Sequence, residues 1–384
     1  MTEPPAPTRT APTITAGTVV TPEGALSPGW VRIAQGRIAA VGAGESPDPR
    51  VIDLGPMVLA PGFVDLHAHG GGGASFTQGP QAARTVLATH LAHGTTSMMA
   101  SLVTDTIEHL AEQIAALAPL VTAGELVGIH LEGPWLAGAH CGAHDPHLLR
   151  DPTPADVDVL LAAGKGSVRM VTLATERAGG LAAVAQLAGQ GVLVAIGHSD
   201  ATYAEAHAAV DAGVRVATHL FNAQRPIHQR EPGLILALLE REEVHIELIA
   251  DGVHVHPALV RHAARAKPGR HALISDAMAA AGIGDGSYRL GSLPVDVRDG
   301  VARLVCGGAI AGSTLTLDRA VRVAVSEAGH SLAEAVRATA TTPADVLGRP
   351  DLGRIAPGAR ADLVALDSEL QVRRVMRAGR WVVD

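Results

Sequence analysis

The 384-residue sequence predicts an α/β fold, a (β/α)8 TIM barrel with a small β-sandwich domain built from both chain termini. Three observations carry that expectation. Short β-rich runs alternate with Ala/Leu-rich stretches of helical period through the middle of the chain, eight times over. Short alternating runs punctuated by Gly and Pro occur near both ends. Ionisable residues end the central apolar runs on their C-terminal side, where a parallel barrel opens its mouth. An open doubly wound sheet is the alternative. It calls for a GxGxxG turn after the first strand, and the run HGGGGAS follows a polar strand end instead.

In chain order, residues 1–12 are rich in Pro and Thr and read as a disordered leader. Residues 13–57 and 348–384 share the same β character and form the small domain, with the barrel over 58–347 between them. The eight barrel strands are MVLAPGFVDLHAH, TTSMMASLV, LVGIHLEG, VRMVTLA, VLVAIGHS, VRVATHLFNA, VHIELIADG and HALISDA. Helical runs between them include QAARTVLATHLAHG, TDTIEHLAEQIAAL, LAAVAQLAGQG, YAEAHAAVDAG and HPALVRHAARA.

Composition narrows the function. With 47% hydrophobic and 18% charged residues the chain can bury a large core. It carries 30 Lys+Arg against 38 Asp+Glu, a net charge of -8, and eight aromatic residues, which disfavours a nucleic-acid partner. A single placed Arg can still anchor one phosphate. Cys141 and Cys306 make no disulfide framework, and no apolar run approaches the roughly 20 residues of a membrane span. A cytoplasmic enzyme without a membrane partner is expected.

The ionisable strand ends are Asp65, His67 and His69; His130 and Glu132; His198; His219; Asp251 and His254; and Asp276. In a barrel these converge on one mouth. Imidazoles with a carboxylate are the donor set that Zn²⁺ and similar borderline ions prefer. The alternation in His67-Ala68-His69 puts both rings on one side of an extended segment. His90, His109, His207, His262 and His271 occupy helical or strand-start positions and are read as structural.

Several strings together carry a resemblance: GFVDLHAHG, IHLEGPWL, CGAHDPHLL, IGHSDATYAEA, THLFNAQRPIHQREPG, IADGVHVHP, ISDAMAAAG and AGSTLTLDRAV. The sequence resembles the N-acetylglucosamine-6-phosphate deacetylases of the amidohydrolase superfamily, from about Pro61 to Ala320. The resemblance implies hydrolysis of N-acetyl-D-glucosamine 6-phosphate to glucosamine 6-phosphate and acetate. It also implies one or two divalent metals per subunit, Zn²⁺ by default with Fe²⁺ or another transition ion as the alternative. Glu132, His198 and His219 match the common metal ligands, and His67 and His69 a second pair. The fourth strand, VRMVTLATE, holds no Lys, and the chain has only Lys165 and Lys267, so a carboxylated-lysine site is not expected.

Asp276, at the end of the eighth strand, is the candidate catalytic base, and it matches the aspartate of that family. The resemblance assigns Ala143, His144, Asn222, Ala223, Arg230, His254, Ile310, Ala311 and Gly312 to the phosphosugar. Arg230 is expected to reach the active site of a neighbouring subunit, which implies a homodimer. From charge alone, an ordinary surface ion pair of Arg230 with Glu231 or Glu240 is the competing reading. Cys141, in the segment after the third strand, is given no catalytic role. Phe221 and Gln224-Arg225-Pro226 depart from the family pattern beside Asn222. Alternatives are the same reaction on N-acetylgalactosamine 6-phosphate, or a non-catalytic scaffold.

Overall fold

The computed structural model describes residues 13–384, so the leader expected over 1–12 lies outside the described residues. Eight strands form one all-parallel sheet in sequence order: β1 Phe63–Asp65, β2 Thr95–Val103, β3 Gly128–Glu132, β4 Val168–Leu173, β5 Leu193–Ile196, β6 Val214–Ala217, β7 His245–Ile249 and β8 His271–Ile274. A helix follows each: α1 Pro80–Ala92, α2 Ile107–Thr122, α3 Pro154–Gly164, α4 Gly180–Gly189, α5 Tyr203–Ala212, α6 Gly233–Glu240, α7 Pro257–Ala266 and α8 Leu317–Ser326. The expected (β/α)8 barrel is thus observed.

The strands read as apolar because both faces are covered. All nine residues of β2 are buried, and the core around them is aliphatic and Ala-rich, with Phe63, Phe76 and Trp135 the aromatics buried in it among the described residues. Helix starts follow local chemistry. Thr202 caps α5 by accepting from the Glu205 N–H while Glu205 bonds back, and Thr106 and Thr153 cap α2 and α3.

Beyond β8 and β1 the chain closes the ring. Asp276 N–H donates to His67 O at 2.8 Å and His69 N–H to Ala277 O at 2.8 Å. Asp65 locks the same seam by accepting from Ser275 Oγ at 2.6 Å. The seam therefore carries His67, His69 and Asp276 side by side.

The run Met57–His69, read from sequence as one strand, is two. Val58–Pro61 pairs in a second sheet, and β1 starts after Gly62. Gly62 is required there, since a Cβ would lie 2.3 Å from Thr96 Oγ1. Outside the barrel, one sheet holds Thr13–Ala16, Gly29–Ala34, Arg37–Ala43 and Val51–Asp53. The other pairs Val58–Pro61 with Leu363–Leu366 from the far end of the chain. Ile14, Val31, Ile33, Leu59, Leu363 and Met376 form a core separate from the barrel's. We propose that the division between the two units falls at Gly62 rather than after Met57.

The largest element without a counterpart in the sequence reading is a further sheet. An antiparallel sheet of Gly286–Leu290, Leu293–Arg298 and Val301–Leu304 is inserted between β8 and α8 and packs on Met278, Ala280 and Ala311. Among the described residues no helix is long and apolar enough to cross a membrane.

Candidate metal centre and active-site cavity

The strand ends deliver six side chains to one place. Glu132 is the last residue of β3, while His67 and His69 follow β1, His198 follows β5, His219 follows β6 and Asp276 follows β8. His198, His219 and Asp276 adopt left-handed backbone, with φ of 47°, 28° and 47°. A non-glycine residue in that region costs on the order of 1–3 kcal/mol, and such strain concentrates where function requires a set side-chain direction. The turn before His198 needs Gly197, because a Cβ there would meet Thr218 Cβ at 2.7 Å.

The six side chains form two groups, His67, His69 and Asp276, and Glu132, His198 and His219. In each, one ligand atom per residue lies within 4.8 Å of the others. Glu132 spans both. Its Oε1 lies 3.1 Å from His198 Nε2 and 2.9 Å from His219 Nε2, and its Oε2 lies 3.0 Å from His69 Nε2 and 3.4 Å from His67 Nε2. Asp276 Oδ1 completes the first group at 3.3 Å from His69 Nε2 and 3.5 Å from His67 Nε2.

The far nitrogens explain the orientation. His69 Nδ1 faces Ser101 O at 3.2 Å and His198 Nδ1 faces His140 O at 2.8 Å. Donation of Nδ1–H to those carbonyls leaves each Nε2 with a lone pair pointing at Glu132. Acceptors that close need a shared proton or a cation between them. Burial opposes charge on these groups, yet Glu132 and Asp276 raise His67 well above its ordinary value and Asp276 and Glu132 bring His69 to about 8. His67 in turn holds Glu132 and Asp276 well below the usual carboxylate range, against the cost of burying them. This donor set, buried and of imidazole and carboxylate type, fits a divalent transition ion.

Above the centre is a cavity of ≈ 360 Å³ lined by His69, Glu132, His198, His219 and Asp276 and by Ala143, His144, Asn222, Ala223, His254, Ile310 and Gly312. His254 Nδ1 bonds Asp251 Oδ2 at 2.7 Å, so its other nitrogen is the one free to face the cavity. Burial works against a charge on His254, and Asp251 outweighs it, raising the imidazole above its ordinary value. His144 lies 3.4 Å from Glu132 Oε2 and bonds Thr104 Oγ1 at 2.8 Å, and burial pulls it down to about 4. Gln224 braces the turn carrying Asn222 through Phe221 N and Thr218 O, and Arg225 forms a fork onto Asp200.

Some expected residues stand elsewhere. His130 is not part of the centre, because Ser101 Oγ and Thr172 Oγ1 occupy its two nitrogens at 2.9 and 2.8 Å. Asp65 serves the barrel seam, and burial raises its carboxyl to about 6. Ala311 is buried behind the lining in the core of the inserted sheet. Arg230 is exposed, does not line the cavity of its own chain, and pairs with neither Glu231 nor Glu240. Its guanidinium has no carboxylate within 4.0 Å among the described residues. His90 bonds Gly70 O at 3.0 Å, away from the cavity.

Glu247, in the middle of β7, is absent from the sequence-based set. Its Oε2 lies 3.2 Å from His67 Nδ1. The signal was present: Ile-Glu-Leu-Ile puts an acid inside a strand that should read as apolar.

Residues 58–382 match the Amidohydrolase family, which is metal-dependent. This chain belongs to the amidohydrolase family. A relative from Escherichia coli O157:H7, named N-acetylgalactosamine-6-phosphate deacetylase, is 38% identical over 369 residues, 94% of this chain and 97% of its own. The N-acetylglucosamine-6-phosphate deacetylase of Vibrio furnissii is 34% identical, covering 87% of this chain and 85% of its own. Among solved structures, a mutant N-acetyl-D-glucosamine-6-phosphate deacetylase of Mycobacterium smegmatis, in complex with N-acetyl-D-glucosamine-6-phosphate, superposes with a TM-score of 0.96. It shares 50% identity over 98% of this chain and 100% of that one.

Proposed function

We propose that this amidohydrolase removes the acetyl group of N-acetyl-D-glucosamine 6-phosphate, giving glucosamine 6-phosphate and acetate. One observation carries the reading: Asp276, His69, Glu132, His198 and His219, together with Asn222, His144 and His254, line a single cavity of ≈ 360 Å³, a size suited to one small ligand. The relatives' named activities point the same way.

Glu132, His198 and His219 would hold one ion, and His67, His69 and Asp276 a second. Zn²⁺ is the ion we expect, with Fe²⁺ the nearest alternative. A divalent ion of this type polarises an amide carbonyl and acidifies a water molecule. Asp276, ionised at rest, accepts the proton of the attacking water and returns it to the departing amine nitrogen. His254, held by Asp251, donates toward the acetamido carbonyl. Asn222, His144 and the loop positions Ala143, Ala223, Ile310 and Gly312 contact the sugar, with Ala311 packed behind them. Arg230 binds the phosphate of a neighbouring copy, which makes the working unit a homodimer.

The test is acetate release from the two epimeric 6-phosphates and from unphosphorylated N-acetylglucosamine. The gluco 6-phosphate is expected to give the highest kcat/KM, and the unphosphorylated sugar one at least 100-fold lower. A second reading, the galacto epimer, is favoured by the name of the Escherichia coli relative. A higher kcat/KM for the galacto 6-phosphate would establish it instead.

A further inference from the structure

Glu247 is the buried acid of β7 that neither the chemistry above nor the seam uses. It is fully buried, and it sits in β7 opposite Ala272 of β8. Its Oε2 lies 3.2 Å from His67 Nδ1 and 3.3 Å from the backbone N of His219, while its Oε1 has no partner among the described residues. Its backbone also holds the β6 end, since Leu220 N–H donates to Glu247 O at 2.8 Å. One carboxylate oxygen therefore touches a member of each donor group: the ring of His67 in the first and the main chain of His219 in the second.

We propose that Glu247 is a positioning residue for the metal centre, fixing His67 with Nδ1–H outward and Nε2 inward while setting where His219 leaves its strand. The inference rests on the two-group reading of the centre. The physical case is geometric. A buried carboxylate with one oxygen unpaired is costly and would be replaced readily by an apolar residue if packing were its task. Of the four candidate histidine ligands, His69 and His198 are oriented by backbone carbonyls, whereas His67 alone is oriented by a side chain. The two rings that Glu247 touches or adjoins are also stacked, with centroids 5.6 Å apart and planes 29° apart. A change at Glu247 is thus transmitted to both groups, and most directly to the one containing His67.

The experiment is Co²⁺ and Zn²⁺ titration of the chelator-stripped full chain, with His67→Ala identifying the uptake step that belongs to the first group. Wild type is expected to load in two steps. Glu247→Met, which removes the acceptor, should weaken the His67 step by about 10- to 100-fold and change the visible Co²⁺ spectrum. Glu247→Gln keeps the volume and an acceptor oxygen, and should give a smaller loss with the same spectral direction. It also maintains the test should Glu247→Met fail to fold. Wild-type affinities and spectrum in folded variants overturn the proposal. A lower melting temperature with an unchanged Co²⁺ spectrum overturns it as well, since that marks a packing role. If wild type itself shows no His67-dependent step, the two-group reading fails and takes this inference with it.

Discussion

His67 and His130 are both fully buried and their rings are 4.6 Å apart, yet they have opposite electrostatic fates. His130 spends both nitrogens on the hydroxyls of Ser101 and Thr172, and burial, helped by neighbouring His67, pulls it well below its ordinary value. His67 turns one nitrogen to Glu247 and the other toward Glu132 and Asp276, which hold it above that value despite burial. Depth alone therefore does not make a histidine a ligand. What separates these two rings is that carboxylates face the inner nitrogen of His67 while Glu247 takes the outer one, whereas His130 meets only hydroxyls.

The sharpest way to break that contrast is at the centre itself. Asp276→Asn should lower kcat by about 10²- to 10⁴-fold, the range expected for a lost general base, as read by acetate release at saturating substrate. An active variant would remove Asp276 from the reaction. Next, His219→Ala should reduce metal affinity by more than the roughly 100-fold that outer partners reach. His130→Ala should leave metal stoichiometry unchanged and instead cost about 2–3 kcal/mol in denaturant unfolding, as a buried ring is removed and the Ser101 and Thr172 hydroxyls each lose one of their partners.

A third test concerns the structural set. His90 titrates near 4 in the fold because burial disfavours its charge, against 6.5 unfolded. As pH falls, the unfolded chain binds this proton first. Stability is full above about 6.5 and declines toward pH 4, by about 3 kcal/mol for this residue alone. His90→Gln should flatten that part of the acid limb, and an unchanged slope would remove His90 as its source. The smallest effect is expected at Arg230→Ala, which should raise KM about 10-fold with little change in kcat, the pattern of a lost phosphate contact.

The barrel was legible because parallel strands buried on both faces show as apolar runs, and every run from Thr95 onward falls on an observed strand. The small β unit showed at both ends for a related reason, its turns being marked by Gly and Pro. The break at Gly62 was not legible, since it answers to Thr96 across the sheet rather than to any neighbour in sequence. The inserted sheet was missed because its strands are short and largely exposed, although Leu290 from it lines the cavity. At the centre, position at a strand end picks out six residues that lie together in space, and it picks out His130 as well. Only the tertiary partners Ser101 and Thr172 separate it from His67.

The left-handed backbone at His198, His219 and Asp276 also bears on attempts to engineer the protein. Each position would relax with glycine and, in the case of Asp276, with asparagine. A library screened for heat resistance alone would therefore enrich substitutions at these three sites and discard the chemistry while improving the scaffold. Selection on this barrel has to include a readout of metal uptake or turnover from the first round.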